Sequence, residues 1–177
     1  ELLSTFWTNI AMDQSSYNLI QGNTINGTGV SENGIWFQGN CNWNNITSNI
    51  ITENTANGLF IQSSTNNLIN NNVISQNVGG AGIGLLLVAS SSTVINHNTF
   101  QDNGWVGTCV SSDSNGNTIT ENNYISTTAQ VSQAYDAGTN TYDNGTTGNY
   151  WSNWGTTNPR PIDGGSNVDN HPSLTQF

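Results

Sequence analysis

The chain has 177 residues, only 7% of them charged, and its formal net charge is −10 at pH 7. With a single Lys or Arg residue it lacks the cations that bind phosphate groups, which excludes nucleic-acid binding and attraction to an anionic membrane surface. The length favours one domain, and no apolar run approaches the roughly 20 residues of a membrane-spanning helix, so we expect no membrane insertion.

The first eight residues are rich in large apolar side chains. Leu2, Leu3, Phe6 and Trp7 are predicted to plug the end of a core or to contact another chain. Residues 9–20 then follow a strand-and-turn pattern that matches a partial first coil of the repeat described below. The segment contains no amphipathic helix that would shield this coil, and an unshielded coil exposes unpaired backbone groups. The four apolar residues are therefore candidates for self-assembly.

A repeat of one short phrase occupies residues 18–124. Its five copies lie at 18–25, 44–51, 67–74, 93–100 and 117–124, and successive copies start 26, 23, 26 and 24 residues apart. A fixed period in this range is typical of a solenoid. Within each copy the apolar residues alternate with polar ones, which is the spacing of a strand. The repeat therefore predicts stacked coils built of short strands.

Three stripes of apolar residues are predicted to face the interior. The first contains Ile20, Ile46, Ile69, Ile95 and Ile119; the second contains Ile25, Ile51, Ile74, Phe100 and Tyr124; and the third, which follows a Gly in most repeats, contains Ile35/Phe37, Leu59/Ile61, Leu85/Leu87 and, weakly, Thr108/Val110. Three strands per turn of about 24 residues predict an all-β parallel β-helix with about five to six coils, spaced about 4.8 Å apart.

The Asn residues, 32 in all, fall into rows of the same period. The rows are Asn18/Asn44/Asn67/Asn117, Asn23/Asn49/Asn72/Asn98/Asn122 and Asn54/Asn77/Asn103. Asn tolerates the left-handed bend that a corner between strands requires, and its amide can bond to the same amide one coil away. We therefore predict that the Asn rows occupy the bends and form ladders between coils.

The two cysteines are predicted to be too far apart for a disulfide within the chain. Cys41 and Cys109 are separated by three coils, which corresponds to roughly 14 Å. Two unreactive thiols and an intermolecular disulfide remain as alternatives. Two distant thiols do not form a metal site.

The repeat phase fades after Tyr124. We predict coils through residue 147 and an irregular cap at 148–177, which begins with the densest aromatic cluster of the chain, Gly-Asn-Tyr-Trp-Ser-Asn-Trp at 148–154. Aromatic side chains bury a large area each. Tyr150, Trp151 and Trp154 are therefore predicted to cover the last coil, with a sugar-stacking platform or a self-assembly contact as alternatives.

The phrase at 148–154, the preceding Tyr-Asp-Asn-Gly at 142–145 and the terminal Val-Asp-Asn-His-Pro-Ser-Leu-Thr-Gln-Phe at 168–177 carry a family resemblance. They resemble the ending of the β-helix repeat proteins grouped with the accessory protein that matures the copper site of nitrous oxide reductase. The resemblance covers about residues 10–177. It implies a right-handed parallel β-helix and, since many members are secreted or surface proteins of archaea, an extracellular or cell-surface location.

Relatives usually carry an Asp- and Gly-rich run, similar to a calcium loop, between the Tyr-Trp motif and the ending. Here residues 155–162 are few and contain no acidic cluster, so a calcium site is not expected. Copper is not expected either, because Met12, His97, His171 and the two cysteines form no cluster of soft ligands. His97 is predicted to be alone and solvated on an outer turn. We expect no metal and no cofactor.

Candidate catalytic groups are few. Acid-polysaccharide lyases need Lys or Arg at the reacting centre, and Arg160 lies alone in the predicted cap. Glu53 and Asp102 share one register two coils apart, which predicts a separation of roughly 10 Å, just beyond the 6.5–9.5 Å range typical of inverting glycosidases. Four further acidic residues are predicted to be solvated in turns: Asp113, Glu121, Asp136 and Asp143. These patterns predict a non-enzymatic protein.

Three sequons for N-glycosylation begin at Asn26, Asn45 and Asn144. The strand phase places Asn26 and Asn45 next to inward-facing Ile residues, so both are predicted to point outward, and Asn144 is predicted to lie in a turn. Glycans at these positions would solubilise a surface with few charges and would imply secretion. The three residues are candidate glycosylation sites.

Together these patterns favour a non-catalytic structural β-helix, extracellular or on the cell surface, whose partner is itself in an end-to-end homopolymer. Few charges protect its strand edges against pairing. An alternative is a module that binds or hydrolyses carbohydrate through Glu53 and Asp102 or through exposed Trp36, Trp43 and Trp105, with surface glycans as its partners. A fragment of a longer surface protein is a third.

Overall fold

The structure is a computed structural model that describes residues 8–27, 33–78, 82–127 and 132–177. The described residues form an all-β solenoid and contain no helix, and hence no helix that could cross a membrane. Each strand of the coils pairs in parallel with the equivalent strand of the neighbouring coil, so three sheets run along the length of the stack. This arrangement confirms the predicted parallel β-helix, with about five turns.

The three sheets contain the strands in the following orders. The first contains β1 (Thr8–Asp13), β4 (Asn33–Gln38), β7 (Leu59–Gln62), β10 (Ile83–Val88), β13 (Val106–Val110) and β16 (Ala134–Asp136). The second contains β2 (Leu19–Gln21), β5 (Asn45–Thr47), β8 (Leu68–Asn70), β11 (Val94–Asn96) and β14 (Thr118–Thr120). The third contains β3 (Thr24–Asn26), β6 (Ile50–Thr52), β9 (Val73–Ser75), β12 (Thr99–Gln101), β15 (Asn123–Ile125) and β17 (Tyr150–Trp151). A short antiparallel pair, β18 (Arg160–Pro161) with β19 (Val168–Asp169), completes the strands.

The predicted apolar stripes form the core. In the second sheet Ile20, Ile46, Ile69, Ile95 and Ile119 stand in one register and are all buried. The stripes of the third and first sheets are confirmed in the same way. The weakest predicted member, Thr108, is fully buried because its Oγ1 lies 3.1 Å from the Tyr124 hydroxyl, which gives the polar atom a hydrogen-bond partner. Every coil thus contributes to one continuous interior.

The Asn rows do not occupy the left-handed bends, contrary to the prediction. In each row the left-handed residue is the one immediately before the ladder residue, as in Ser48 before Asn49 and His97 before Asn98, with φ of 56° and 54°. The bend residue turns its side chain outward, so Ser, Gly, His and Glu all occur there. The ladder residue keeps an ordinary backbone because its amide must face the neighbouring coils.

Glycines allow the coils to approach closely where the chain enters the first sheet. A Cβ at Gly58 would lie 2.7 Å from the Ile74 Cγ2 atom and 2.8 Å from the Gly84 carbonyl oxygen, and Gly34 has a similarly crowded position one coil earlier. No side chain fits these contacts. The glycines that precede the third apolar stripe are thus required by packing.

Candidate functional site

Buried asparagine ladders join the coils. Asn72 is typical: its Oδ1 accepts hydrogen bonds from the backbone N–H and the Nδ2 of Asn49, at 2.9 and 3.0 Å. Its own Nδ2 donates to the carbonyl oxygens of Ile46 and Asn70 and to Oδ1 of Asn98, at 2.8 to 3.0 Å. A buried amide that uses all its groups avoids the cost of an unpaired polar atom. The predicted amide-to-amide contact between coils is therefore confirmed.

The ladders continue beyond the predicted repeat. The ladder at the corner between the second and third sheets, here called the inner-corner ladder, passes through Asn23, Asn49, Asn72, Asn98, Asn122 and Asn149. The ladder before the second sheet, here called the outer-corner ladder, contains Asn18, Asn44, Asn67, Thr93, Asn117, Asn140 and Asn167. The coil phase that seemed to fade in sequence therefore persists in space.

Asp169 ends the inner-corner ladder with a carboxylate. Its Oδ2 accepts hydrogen bonds from the Asn149 backbone N–H at 2.7 Å and from Trp151 Nε1 at 2.9 Å, and its Oδ1 accepts one from the His171 backbone N–H at 3.1 Å. The residue is fully buried, and burial raises the pKa of its carboxyl. Asp169 thus replaces the amide oxygen of a further coil and closes the ladder.

Arg160 was predicted to be alone in the irregular cap, but its side chain packs on the aromatic rings of this cap. Its guanidinium carbon is 4.5 Å from the centre of the Trp151 ring and 5.3 Å from that of Trp154. The residue is buried, which lowers the pKa of its guanidinium. Trp151 in turn stacks on Tyr124 with ring centres 4.2 Å apart. The aromatic cluster therefore covers the last coil, as the first interpretation of the sequence proposed.

The three aromatic candidates for self-assembly lie in this cap. Trp151 is only 1% exposed, so its ring is used within the chain and is not available to another copy. Tyr150 is half-buried in the third sheet, and Trp154 packs partly buried against the core. The four apolar candidates at the start of the chain, Leu2, Leu3, Phe6 and Trp7, lie outside the described residues.

Asp136 is not the solvated turn residue that the sequence predicted. It is fully buried, and its carboxylate oxygens accept hydrogen bonds from the Gly138 backbone N–H at 2.8 Å and from Asn140 Nδ2 at 3.0 Å. Burial raises the pKa of its carboxyl. The Asp136 side chain points inward because the side-chain amide of the ladder residue Asn140 donates hydrogen bonds to it. Asp136 therefore fixes the turn that begins the last coil.

The other acidic residues lie nearer the surface. Asp113 is exposed, as predicted, and Asp143 is half-buried. Burial alone would raise the pKa of Asp143, but hydrogen bonds from the backbone and side chain of Asn170, the Gly145 backbone N–H and the His171 ring lower it to about 2. The His171 Nδ1 atom lies 3.0 Å from Asp143 Oδ1.

His97 is not alone on its turn, contrary to the prediction. Its Nε2 lies 3.4 Å from Glu121 Oε2, and the Phe177 ring meets its ring edge-on at 6.4 Å. His97 and Glu121 occupy the same bend position in adjacent coils, which brings the two side chains together.

Glu53, Gln76 and Asp102 occupy one register, as predicted, each in the left-handed position of its turn. Glu53 is exposed. Oδ1 of Asp102 accepts hydrogen bonds from the backbone N–H and the hydroxyl of Thr127, at 2.7 and 3.0 Å. These bonds join adjacent coils and leave this carboxylate oxygen engaged.

The donor atoms do not fit a copper site. Among the described residues no three His, Cys, Asp or Glu side chains lie close enough to hold a metal ion. Both cysteines are free and buried, and Cys41 lies with its Sγ 3.4 Å from the Met12 carbonyl oxygen. Burial and the Asp136 charge raise the pKa of Cys109 to about 11, so the thiolate that metals prefer is disfavoured.

The candidate glycosylation residues differ in their surroundings. Asn26 is exposed at the end of β3, and Asn144 is exposed in a turn. The side chain of Asn144 accepts hydrogen bonds at Oδ1 from the backbone N–H and the hydroxyl of Thr146, the third residue of its sequon, at 3.0 and 2.8 Å. Asn45 is half-buried at the start of β5 in the second sheet, and its Oδ1 is enclosed.

The tryptophans on the outside of the stack form pairs with other rings. Trp43 is 54% exposed and lies parallel to Tyr17, 79% exposed, with ring centres 6.5 Å apart. Trp36 is half-buried and stacks on Phe60 in the first sheet, whereas exposed Trp105 leans on Tyr135. Among the described residues, only the Tyr17–Trp43 pair combines parallel rings with high exposure of both side chains.

Sequence reasoning missed the charged cap. Asp169 and Arg160 lie in a segment without periodicity, so neither was predicted to be buried. The signal that could have located them is the Asn spacing, since Asn140 follows Asn117 by 23 residues and Asn149 follows Asn122 by 27. Extending the two rows in this way predicts one additional coil. Residues 160–169 follow this coil and then lie against its end.

Comparison with known proteins identifies the family. A search of curated proteins and a search of solved structures each returned no match. A family model described as periplasmic copper-binding protein (NosD) matches residues 3–155, which is most of the chain and includes all the coils before the cap. The chain therefore belongs to the NosD family of β-helix repeat proteins.

Proposed function

We propose that the protein is a non-catalytic structural β-helix that acts outside the cytoplasm, extracellularly or on the cell surface, and assembles end to end with copies of itself. The parallel stack carries this proposal. Each coil pairs only with its neighbours, as β2 with β5 and β3 with β6, so the same pairing can join one copy to another. Strand edges are templates for pairing with another chain.

The composition supports the same proposal. Only 7% of the residues are charged, so few charges oppose the approach of two strand edges. The family's description as periplasmic favours work outside the cytoplasm. Copper binding, which the same description names, is not proposed for this chain because its donor atoms are dispersed or already engaged.

Electron microscopy and sedimentation of the native protein test the proposal. We expect filaments whose abundance rises with protein concentration. A variant with Leu2, Leu3, Phe6 and Trp7 all changed to Ser should remain monomeric, because it loses the apolar contacts while the chain keeps its length. Asn153→Thr, in an exposed turn of the cap, is the control and should form filaments as the wild type does. Monomers of wild type at all concentrations, or unchanged filaments of the Ser variant, would contradict the proposal.

Glycosylation belongs to the same proposal, with Asn144 as its best-supported site. The residue is exposed in a turn outside the sheets, whereas Asn45 is held in a paired strand. We expect the native protein to carry a mass excess in sugar-sized steps that Asn144→Gln lowers and Asn45→Gln leaves unchanged. A native mass equal to that of the bare chain would contradict glycosylation.

A second candidate is carbohydrate binding at the Tyr17–Trp43 pair. Parallel exposed rings next to polar side chains are suited to the apolar faces of sugars. A glycan panel would test it: binding that Trp43→Ala abolishes and Trp105→Ala retains would support this function. No binding by the wild type would remove it.

A further inference from the structure

The Asn-Gly steps of this chain differ in what their glycine N–H groups contact. They begin at Asn26, Asn33, Asn57, Asn103, Asn115 and Asn144. In all but the last, the glycine N–H donates to a backbone carbonyl oxygen of a neighbouring coil, at 2.9 to 3.3 Å. In the last, the Gly145 N–H donates to a carboxylate, Oδ1 of Asp143, at 2.9 Å. Because glycine has no Cβ, its nitrogen can approach the side-chain carbonyl carbon of the preceding Asn with little hindrance.

Donors converge on the side-chain oxygen of Asn144, which lies in an exposed turn. Its Oδ1 accepts hydrogen bonds from the Thr146 backbone N–H at 3.0 Å, the Thr146 hydroxyl at 2.8 Å and the Thr147 backbone N–H at 2.8 Å. A nucleophile that adds to Cγ places negative charge on this oxygen. Donors that already point at the oxygen stabilise that charge without rearrangement. The turn therefore favours addition at Cγ of Asn144.

The carboxylate at the Gly145 N–H is held in place. Asp143 Oδ1 lies 3.0 Å from Nδ1 of His171, and Asp143 Oδ2 accepts hydrogen bonds from the backbone N–H and Nδ2 of Asn170, both at 3.0 Å. The carboxylate cannot turn away without losing these bonds. A carboxylate within hydrogen-bond reach of an N–H can take up its proton. Asp143 is thus positioned to accept the proton that the Gly145 nitrogen loses when it forms a new bond.

A second carboxylate lies at the nitrogen that leaves in such a reaction. Asn144 Nδ2 donates to Oε1 of Glu121 at 3.4 Å, and Oε2 of Glu121 lies 3.4 Å from His97 Nε2. An amide nitrogen leaves as ammonia only after it gains a proton. An imidazole can supply protons near neutral pH, and a carboxylate between the two groups can pass them on. The His97–Glu121 pair therefore lies where the leaving nitrogen needs a proton.

We propose that residues 143–147 form a self-modifying site at which Asn144 cyclises onto the Gly145 nitrogen and is converted to aspartate or isoaspartate. The Gly145 nitrogen forms a bond to Asn144 Cγ and gives its proton to Asp143. The Cγ–Nδ2 bond breaks, and Nδ2 gains a proton from the Glu121 side and leaves as ammonia, so the proton lost balances the proton gained. Water then opens the succinimide at either of its carbonyl groups. The reaction consumes water, releases ammonia and changes no oxidation state.

Asn115 provides a matched site within the same chain. It is also exposed and is also followed by glycine. Its Oδ1 accepts a hydrogen bond from the Thr139 backbone N–H at 2.8 Å, and the Gly116 N–H donates to the Thr139 carbonyl oxygen at 2.9 Å. The Gly116 nitrogen therefore joins two coils, and its acceptor is a backbone carbonyl, a far weaker base than a carboxylate. Since both sites are exposed, a difference in rate reports the surroundings of Asn144.

The test follows both sites over time in the full-length protein. The protein is produced in a host that adds no glycans, because a glycan on Nδ2 would block the reaction. Peptide mapping by mass spectrometry, with an isoaspartate methyltransferase assay, quantifies the conversion at neutral pH. We expect conversion at Asn144 to be at least about tenfold faster than at Asn115 in the folded protein. In guanidinium chloride the two rates should become similar, and Asn144 should react more slowly than when folded.

Two variants test the assigned groups. Thr146→Val removes the hydroxyl that donates to Oδ1. Asp143→Asn replaces the proton acceptor with an amide of the same shape, whose oxygen can still accept the Gly145 N–H hydrogen bond. Each should lower the rate at Asn144 by about tenfold or more and leave the rate at Asn115 unchanged, whereas a variant that unfolds would speed up Asn115. Thr157→Val, at an exposed position of the cap, is the control and should keep the wild-type rate.

The outcomes are distinct. Faster conversion of Asn144 in the folded than in the unfolded protein, slowed in both variants, would support the site. Slower conversion in the folded protein would mean that the turn protects Asn144, and this result would overturn the proposal, as would an unchanged rate in either variant. Because the experiment needs no filaments, its outcome is separate from that of the proposed self-assembly.

Discussion

The coils and the cap of this molecule are held together by different chemistry. The coils use neutral amides, each of which repeats the bonds of the amide before it, as at Asn72 and Asn98. The C-terminal end uses buried ionisable groups, Asp136 in the last coil and Arg160 and Asp169 in the cap, which have no counterpart in the earlier coils that the structure describes. A repeated amide both accepts and donates, so it prescribes another coil. A carboxylate only accepts, and therefore stops the series.

The first test of this difference between coils and cap removes the carboxylate that ends the ladder. Asp169→Ala leaves the Asn149 backbone N–H, Trp151 Nε1 and the His171 backbone N–H without an acceptor in a buried site. We expect a loss of about 3–5 kcal/mol in the free energy of unfolding, measured in urea. Asn153→Ala, at an exposed position of the same cap, should change it by less than about 0.5 kcal/mol. Equal effects of the two changes would contradict the role of Asp169.

The second test removes one amide from the middle of a ladder. Asn72→Ala deprives Asn49 of its acceptor and Ile46 of its donor, both inside the stack. We expect about 2–3 kcal/mol of destabilisation, less than for Asp169→Ala because no charge-assisted bond is lost. Asn153→Ala, exposed in the cap, should have little effect. A change at Asn72 as harmless as the one at Asn153 would show that the ladders do not contribute to stability.

The third test probes how closely the last coil approaches the cap. A Cβ at Gly148 would overlap the Asp169 carboxylate, whereas one at Gly155 would meet no atom within 4 Å. Gly148→Ala should therefore destabilise the protein by about 1–3 kcal/mol through displacement of Asp169. Gly155→Ala is the matched control in thermal unfolding. We expect a clearly lower melting temperature for the Gly148 variant than for the Gly155 variant, and equal melting temperatures would contradict this close contact.

The smallest expected effect is the pH dependence at the edge of the cap. The folded-state pKa of Asp143 is about 2, below its ordinary value of 3.8, so its carboxylate stabilises the fold above about pH 4 and this contribution is lost as the pH falls through 2. Wild type should exceed Asp143→Asn by about 1 kcal/mol at pH 6, after allowance for solvent screening, and by half of that or less at pH 2. A difference that does not change with pH would contradict the assignment.

The coils could be predicted from the sequence because their determinants repeat. Ile46, Ile69 and Ile95 mark one interior stripe, and Asn49 and Asn72 mark one ladder, so each position is supported by its neighbours in the series. The residues of the cap occur once. Whether Asp169 is buried depends on Trp151 and Asn149 being present to donate to it, and such a contact between non-repeating residues leaves no periodic signal.

The bends repeat in every coil, yet they could not be located from residue types. The left-handed residues, such as Ser48, His97 and Glu121, share a backbone angle but no side-chain chemistry, so composition could not locate them. The pairing of His97 with Glu121 was missed for this reason. Its position was nevertheless implied by register, since each residue directly precedes a ladder Asn.

The most direct test of the central claim, that the buried carboxylate of Asp169 ends a ladder of neutral amides, is amide hydrogen exchange of Asp169→Ala against wild type. We predict faster exchange at Asn122, Asn149 and His171, with unchanged protection at Asn49 and Asn72, because coils contact only their neighbours and the stack should open from its cap. Unchanged protection at Asn149 and His171, or an equal loss throughout the coils, would contradict the account.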